Sequence, residues 1–402
     1  MTYFSEEEFL RRADAVKARM AERGIDTVIV TEAANMSYLT GFTSTLWYHP
    51  VFVVLSVQED KPYWIGREFT DKPAAEITTY LPSDRIIGYP ETLASHFLVD
   101  EETRTTKDPM GFLVNFLKEK GWAKGRVGVE MASRLLSYPQ VTSLLRQLSG
   151  VDVVDATTLV DWCRFVKSDV EIQCMREAGK IASHSMSVTL ANINDAARQC
   201  DVASVAYQAS LAGTRDYGGC LPECFILTSG ASVPAIHVPW TDGPFAKNQL
   251  ANIELSGCRE FYNTALVRSA VVGKPPEDVK NLFAVLKDAF DVIIDTARAG
   301  VSCGDVTKAF RAPFEKAGIK SRPWMGYSIG LGLPGQGWID APPGLTDDET
   351  TLLEANMTFH VVPCFWVESS GGWAMAMSET LLICDDAPSE PLSSLDRSLW
   401  VA

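Results

Sequence analysis

The feature that most constrains the fold is a change in the pattern of apolar residues near residue 155. Before it, short apolar runs typical of strands alternate with amphipathic stretches typical of helices. After it, strand signals stop, a long helical stretch begins, and later helices are interleaved with strands. The first pattern predicts an α/β domain over residues 1–160, and the second an α+β domain with mostly antiparallel strands over residues 161–402.

Periodicity also predicts individual elements. In the first domain, a helix covers residues 5–24 with Ser5 as its N-cap, and "VFVVLSVQ" and "KPYWIG" form a strand pair. In the second domain, helices are predicted near residues 170–193, 201–212, 276–299 and 304–317. Strands are predicted at "ECFILTSG", "LANIELSGC", "TALVRSAVVG", "MTFHVVPCFWV" and "SETLLIC".

Charge and cysteine usage exclude several classes of function. The chain carries 36 basic and 51 acidic residues without a Lys/Arg-rich run, so we expect no nucleic-acid partner and no membrane partner. The amino terminus is charged and helix-periodic, unlike a signal peptide, and no apolar run reaches the ~18 residues of a membrane span. The nine cysteines are scattered without a C-x-x-C pair, which favours reduced thiols and a cytoplasmic location.

Histidines are scarce, which narrows the candidates for proton transfer near neutral pH. His237 lies in "SGASVPAIHVPWTDGPF", a loop between two strands and rich in proline and glycine, and loops on rigid scaffolds often carry function. His49 follows the aromatic stretch "STLWY", which fits either a pocket wall or an ordinary strand edge. We interpret His96 and His184 as structural or exposed.

Two carboxylates interrupt apolar strands, Glu254 in "LANIELSG" and Glu379 in "MAMSETLLIC". A buried carboxylate costs several kcal/mol unless it is paired, hydrogen-bonded or protonated. Two such residues in core strands indicate a functional site. The structural alternative is a salt bridge, for instance with Arg268.

Other familiar motifs are missing. The run "GYSIGLGLPGQG" lacks the strand–turn–helix context of a dinucleotide site and the Lys-Ser/Thr of a P-loop. We find no G-x-S-x-G motif of a serine hydrolase. Cys258 in "SGCRE" would act as a nucleophile only with a lowered thiol pKa, which a sequence does not reveal.

Several motifs in order resemble the creatinase/aminopeptidase P family over essentially the whole chain. They are the junction "CRFVKSDVEIQCMREAGKIA", the histidine loop, "IELSGCREFYNTALVRS", "GYSIGLGL", "MTFHVVP" and "SETLLIC". The resemblance implies an N-terminal α/β domain and a C-terminal α+β catalytic domain of the pita-bread type. It also implies a homodimer, with Trp47, Tyr48 and His49 reaching the partner's active site.

Metallopeptidases of this family hold two divalent ions with two Asp, one His and two Glu. The matching positions in this chain, in the same order, are Glu254, Ala265, Tyr327, Val362 and Glu379. Alanine and valine offer no ligand atom, and a two-metal site needs bridging carboxylates. The resemblance therefore implies an enzyme without metal or other cofactor.

Two branches of the family lack metal, namely creatinase and ectoine hydrolase. "YNTALVRS" is similar to creatinase, whereas "GYSIGL", "MTFHVVP", "DPM" and "GVEM" are similar to ectoine hydrolase, and the second resemblance is broader. It implies hydrolysis of a C–N bond in a small cationic or zwitterionic amidine, first of all ring opening of ectoine to N-acetyl-diaminobutyrate. The alternatives are a creatinase-like amidinohydrolase acting on another guanidino or amidine compound, and a non-catalytic small-molecule binding protein.

The resemblance also suggests residue roles. Glu254 would attack the amidine carbon or activate water, Glu379 would help to hold the cation, and His237 would move the proton. The expected substrate-binding residues are Trp47, Tyr48, His49, Trp240, Tyr262, Arg268, Tyr327, Asp340 and His360. Asp340 lies in a loop that is longer than the family pattern, and "STLWYHP" also departs from that pattern.

Overall fold

The computed structural model describes residues 3–47, 49–93, 108–223 and 225–402. The chain forms two compact units that meet between Arg164 and Phe165, a few residues after the predicted boundary. The short helix Asp161–Arg164 closes the first unit, where Arg164 donates to Asn35 Oδ1 over 2.8 Å. The predicted fold class is confirmed in both units, each of which is described below by itself.

The first unit is built on one six-stranded mixed sheet in the order β4-β3-β2-β1-β5-β6. Its strands are β1 (Thr27–Val30), β2 (Phe52–Ser56), β3 (Tyr63–Arg67), β4 (Ile86–Tyr89), β5 (Arg126–Val129) and β6 (Asp152–Asp155). Its helices are α1 (Glu6–Glu22), α2 (Ala33–Thr40), α3 (Lys72–Thr78), α4 (Pro109–Glu119), α5 (Tyr138–Gln147) and α6 (Asp161–Arg164). The predicted pair β2–β3 is antiparallel, as expected for a short connection.

Local sequence explains the boundaries of the first helix. Ser5 accepts a hydrogen bond from the backbone N–H of Glu8, so the predicted N-cap is confirmed. Phe9, Val16 and Met20 recur at helical spacing and are fully buried. The amphipathic pattern therefore determines which face of α1 packs on the unit.

In its described residues, the second unit contains mostly antiparallel sheets and four α-helices. Its helices are α7 (Asp169–Ala191), α8 (Gln199–Ala212), α9 (Glu277–Thr296) and α10 (Cys303–Lys316). Its strands are β7 (Phe225–Ser229), β8 (Leu250–Arg259), β9 (Tyr262–Val271), β10 (Gly326–Ile329), β11 (Ile339–Gly344), β12 (Thr358–Val361), β13 (Phe365–Val367), β14 (Gly372–Ala374), β15 (Glu379–Leu382), β16 (Glu390–Pro391) and β17 (Trp400–Val401). They form sheets in the orders β17-β9-β8-β7, β11-β10-β12-β15-β16 and β13-β14.

One strand predicted from the sequence is divided into two in the structure, and the division lies close to the candidate site. The run "MTFHVVPCFWV" forms two strands, β12 and β13, which belong to different sheets. Pro363 lies in the gap between them, and proline has no N–H to continue a ladder. The break places Val362 and Cys364 outside both ladders.

The hairpin β8–β9 positions the candidate site because its ten-residue register runs without a bulge. Ile253, Leu255 and Leu266 pack with buried residues of α7 and α8. Since side chains alternate along a strand, Glu254 projects from the opposite face. In the described ranges, no helix is long and apolar enough to cross a membrane.

Candidate functional site

Glu254 is an acid inside an apolar sheet. It lies in the middle of β8, directly opposite Val267 of β9, and is 5% exposed. Burial raises the pKa of its carboxyl from 4.5 to about 7. Near neutral pH, this residue can therefore exist in either protonation state.

His360 of β12 lies beside this acid, with Nδ1 3.9 Å from Glu254 Oε1. Its Nδ1 is 2.9 Å from the Tyr327 hydroxyl, and its Nε2 is 2.7 Å from Ser378 Oγ. Complete burial lowers the pKa of the imidazole to about 3. His360 is therefore neutral at physiological pH and does not serve there as a proton-donating acid.

The hydrogen bonds of His360 hold its ring at both nitrogens and are compatible with either neutral tautomer. Ser378 Oγ accepts a hydrogen bond from the backbone N–H of Val267 over 2.7 Å, and its second lone pair and its proton allow it either to accept from His360 Nε2 or to donate to it. The Tyr327 hydroxyl accepts from Trp338 Nε1 over 2.9 Å and can likewise donate to His360 Nδ1 or accept from it. His360 is thus a neutral imidazole with a partner at each ring nitrogen.

A set of apolar side chains, here named the apolar wall, borders Glu254. Its members are Ile236, Val267, Tyr327, Val362, Cys364, Trp373 and Met375. The pKa of the Cys364 thiol is raised to about 11, chiefly by burial; the charge of Arg322 lowers it and that of Glu254 raises it. The wall excludes water from one side of Glu254, which explains the raised pKa of this acid.

His237 lies one residue beyond Ile236, which packs on the apolar wall. The same loop contacts β14, since Pro234 fills the space where a side chain at Gly372 would lie. The His237 side chain is exposed, and it makes no hydrogen bond or ion pair with any described residue. Its loop thus borders the wall, and its predicted role in proton transfer stays a prediction.

Glu379 and Arg268 bind each other inside the second unit. They form an ion pair of 2.5 Å in which both side chains are 1% exposed, and Ser393 Oγ donates to the other oxygen of Glu379 over 2.6 Å. Arg268 lies opposite Ile253 and Glu379 lies opposite Val361, so both are out of phase with Glu254 and His360. The salt-bridge alternative is confirmed, and the predicted catalytic role of Glu379 and substrate-binding role of Arg268 stay predictions.

Tyr262 and Trp240 also face the helices rather than Glu254. The Tyr262 hydroxyl donates to Glu171 of α7 over 2.5 Å. Trp240 packs against Tyr207 of α8 and Phe225 of β7, with ring centroids 6.0 and 5.5 Å away. The side chains of both residues contribute to the packing of α7 and α8, and their predicted substrate contacts stay predictions.

Asp340 is not expected to bind substrate, because its carboxylate has a partner inside the protein. It is buried and paired with Lys167 over 2.8 Å, and the Lys167 ammonium also donates to the carbonyl of Phe165. Its charge is neutralised inside the protein. Cys258 is excluded as a nucleophile, since hydrogen bonding with Cys220 and burial raise its thiol pKa well above the usual value.

Three predicted residues lie in the first unit. Trp47 is largely buried and packs edge-on against Phe42 at 5.6 Å, so most of its ring belongs to the core of its own unit. His49 is half-buried, and Tyr48 lies outside the described residues. Their reach into a partner subunit stays a prediction.

The residues at the family's metal positions do not fit two divalent ions. Ala265 and Val362 are buried apolar residues without a ligand atom, and Glu379 is neutralised by Arg268. The Tyr327 hydroxyl is hydrogen-bonded to His360 and Trp338. In the part of the chain that the structure describes, no group of three or more His, Cys, Asp or Glu is arranged to hold a metal. Glu254 alone retains a carboxylate toward this face.

Sequence reasoning missed four residues that contact His360, Tyr327 or the apolar wall, namely Ser378, Trp338, Arg322 and Trp373. A signal existed for Ser378, because it directly precedes Glu379 and only one of two adjacent strand residues faces the site. No local pattern marks Arg322, which lies between α10 and β10.

Comparisons with known proteins agree with this architecture. Residues 12–166 match the creatinase/prolidase N-terminal domain, and residues 173–385 match metallopeptidase family M24. The chain is 33% identical to the uncharacterized hydrolase/peptidase y4tM of Sinorhizobium fredii, covering 99% of this chain and 98% of that protein. It is 30% identical to the ectoine hydrolase of Halomonas elongata, with the same coverage. The solved dipeptidase of Pyrococcus horikoshii shares the fold at a TM-score of 0.78 and 18% identity, covering 97% and 100% of the two chains.

Proposed function

Because the chain belongs to the creatinase and M24 metallopeptidase family of pita-bread hydrolases, we propose that it hydrolyses a C–N bond in a small cyclic amidine without a metal ion. Ectoine is the first candidate substrate, with N-acetyl-diaminobutyrate as the product. The observation that carries the proposal is Glu254, an ionisable acid against an apolar wall and beside a neutral histidine, where the described residues form no cluster of metal-binding side chains.

The acid explains recognition of a cation. An ionised carboxylate against an apolar wall is costly, and a bound amidinium offsets this cost through a charge-assisted hydrogen bond. The cation in turn lowers the pKa of Glu254 from its raised value of about 7 and keeps the carboxylate ionised. Glu254 and the substrate therefore stabilise each other's charged form.

The reaction adds one water across the C–N bond. Glu254 either removes a proton from an attacking water or attacks the amidinium carbon directly; in the second route, water later cleaves the bond between Glu254 and the substrate carbon and regenerates the carboxylate. The carbon becomes tetrahedral, its bond to one ring nitrogen breaks, and this nitrogen leaves as an amine after gaining a proton. The products of ectoine are an amide and a primary amine in one open chain.

The remaining residues fill supporting roles in this proposal. His237, on an exposed loop that borders the apolar wall, delivers the proton to the leaving nitrogen and is reprotonated from solvent. His360 stays neutral, and its hydrogen bond with the Tyr327 hydroxyl holds that hydroxyl in position. The likeness to the ectoine hydrolase of Halomonas elongata over 99% of this chain supports the substrate class. We also propose a cytoplasmic homodimer, as the scattered cysteines and the family resemblance suggest.

Mass spectrometry tests the proposal directly. The full chain, treated with EDTA, is incubated separately with ectoine, creatine and an Xaa-Pro dipeptide. We expect ectoine to gain the mass of one water, the other two compounds to stay intact, and Glu254→Gln to abolish the reaction. Elemental analysis of the active protein accompanies the assay. Cleavage of the dipeptide, or activity that disappears with a stoichiometric metal, would contradict the proposal, and binding of ectoine without turnover would favour a binding protein.

A further inference from the structure

Arg322 has an unusual environment for an exposed arginine. Its backbone N–H donates to the carbonyl of Cys364 over 3.0 Å, and its guanidinium lies 5.1 Å from the centroid of the Trp373 ring. Within the described ranges, no carboxylate forms an ion pair with this guanidinium, although acidic residues outnumber basic ones by 51 to 36. The indole face restricts the orientation of the guanidinium and leaves its N–H edge available for a planar anion.

The apolar wall connects Arg322 to Glu254. Trp373, whose ring contacts the Arg322 guanidinium, and Cys364, whose carbonyl accepts a hydrogen bond from the Arg322 backbone, both belong to this wall. Val267, another member, lies directly opposite Glu254. The charges of Arg322 and Glu254 also influence the pKa of the Cys364 thiol, in opposite directions. One apolar surface therefore carries a negative charge in its buried part and a positive charge at its exposed part.

The aromatic residues around Arg322 extend this surface. Trp366 packs edge-on against Trp373 at 5.7 Å, and Trp324 stacks on Tyr327 at 5.3 Å. Both outer indoles are 41% exposed, which is a large area for tryptophan unless something covers it. The aromatic side chains around the Arg322 guanidinium thus form an apolar surface that is partly exposed to solvent.

We propose that Arg322 binds a carboxylate of the substrate, so that the substrate is a zwitterion with its amidinium toward Glu254 and its carboxylate toward Arg322. This inference rests on the proposed function and narrows it to amidines that carry a carboxylate. An Arg–carboxylate pair is planar and bidentate, so Arg322 selects a group of matching geometry as well as charge. Amidines that lack the carboxylate would bind more weakly.

The test uses two rings that differ only in the carboxylate, namely ectoine and 2-methyl-1,4,5,6-tetrahydropyrimidine. For each form of the full chain, KM and kcat are measured with ectoine, and the carboxylate-free ring is assayed as substrate and as competitive inhibitor of ectoine turnover. The variants are Arg322→Gln and Arg322→Lys. Lys320→Gln is the matched control, because it removes one positive charge from an exposed position in the same segment.

We expect Arg322→Gln to raise KM for ectoine about 10–100-fold with kcat within about twofold, which is the range for loss of a charge-assisted hydrogen bond. The inhibition constant of the carboxylate-free ring stays unchanged, which also verifies that the variant is folded. Arg322→Lys gives an intermediate KM, since lysine keeps the positive charge but lacks the planar guanidinium that binds a carboxylate through two hydrogen bonds. Lys320→Gln matches the unmodified protein.

Equal weakening of both rings in Arg322→Gln, or no weakening of ectoine, would overturn the inference while leaving the hydrolase proposal intact. A protein that neither binds nor hydrolyses either ring overturns the proposed function and this inference together. Tighter binding of the carboxylate-free ring than of ectoine by the unmodified protein would also overturn it. Failure of the Arg322 role and failure of the proposed function therefore give different results.

Discussion

Arg268 Nη2 lies 2.5 Å from Glu379 Oε1, with both side chains almost completely buried. The same guanidinium donates to the carbonyls of Ser378 and Leu395, and Ser393 reaches the second carboxylate oxygen. The pair thus connects β9, β15 and the segment that follows β16. Glu379, which occupies a metal-binding position of the family, is here part of a structural ion pair.

Breaking this pair should lower stability more than it alters chemistry. Glu379→Gln leaves a buried guanidinium without its counter-charge, so we expect the free energy of unfolding to fall by about 3–5 kcal/mol, measured by urea denaturation. The combined Arg268→Met, Glu379→Leu variant should recover much of this loss. A Glu379→Gln protein of unchanged stability but without turnover would support the predicted catalytic role of Glu379.

Turnover should depend on the ionisation of Glu254. The carboxylate form binds the cation and acts as nucleophile or base, so kcat/KM should rise as pH increases through about 7, the raised pKa in the free protein. In the pH profile of kcat, the corresponding rise should occur at lower pH, because the bound cation lowers the pKa of Glu254. At pH values where Glu254 is ionised, Glu254→Gln should reduce kcat by about 10²–10⁴-fold, and the difference should shrink at lower pH, where the unmodified protein also loses its carboxylate. A pH-independent kcat/KM between pH 5 and 9 would contradict this assignment.

In the absence of substrate, the stability of the folded protein should also depend on the ionisation of Glu254, but it should fall rather than rise as pH increases. The pKa of Glu254 is raised in the folded state, so the folded protein keeps a proton that the unfolded chain releases. This favours folding below about pH 4.5, and the benefit is lost as pH rises through about 7. The full effect is about 3 kcal/mol, from a pKa difference of 7 − 4.5 = 2.5.

Denaturation of the unmodified protein and of Glu254→Gln at pH 5 and pH 8.5 measures this effect. The glutamine variant should gain stability relative to the unmodified protein as pH rises, because it carries no charge to bury. Parallel pH curves for the two proteins would show that Glu254 is hydrated or paired in solution.

His237 should affect the rate more than binding. Its side chain is exposed and makes no hydrogen bond within the described residues, so His237→Ala should leave the melting temperature nearly unchanged. If it protonates the leaving nitrogen, kcat should fall about 10²–10⁴-fold with a small change in KM. His184→Ala, at another exposed histidine, on α7, is the matched control. Normal turnover by His237→Ala would remove this residue from the mechanism.

Much of the fold follows from local pattern. The helices predicted from apolar spacing match α7, α8, α9 and α10 to within a few residues, and the strand that carries Glu254 is correct. These elements are long or strongly periodic, and their pattern agrees with their burial. The burial of Glu254 could also be predicted, because its neighbours on both sides are apolar strand residues.

The partners of buried charges could not be predicted in the same way. Asp340 pairs with Lys167, which is 173 positions away in the sequence, and no local pattern links them. The choice between Ser378 and Glu379 depends on strand phase, and Ala376, two residues before Ser378, adopts a positive φ of 53° that a sequence pattern does not reveal. Only tertiary packing decides which side chain faces Glu254.

Ala265 and Val362 have a consequence for how this lineage can change. Restoring one missing acid, as in Ala265→Asp, would bury a second negative charge next to Glu254 before any ion is held to balance it. Several ligands would have to return at once, and Glu379 would first have to leave Arg268. Each single substitution toward the metallopeptidase ligand set is therefore penalised, and a two-metal site would require several substitutions made together.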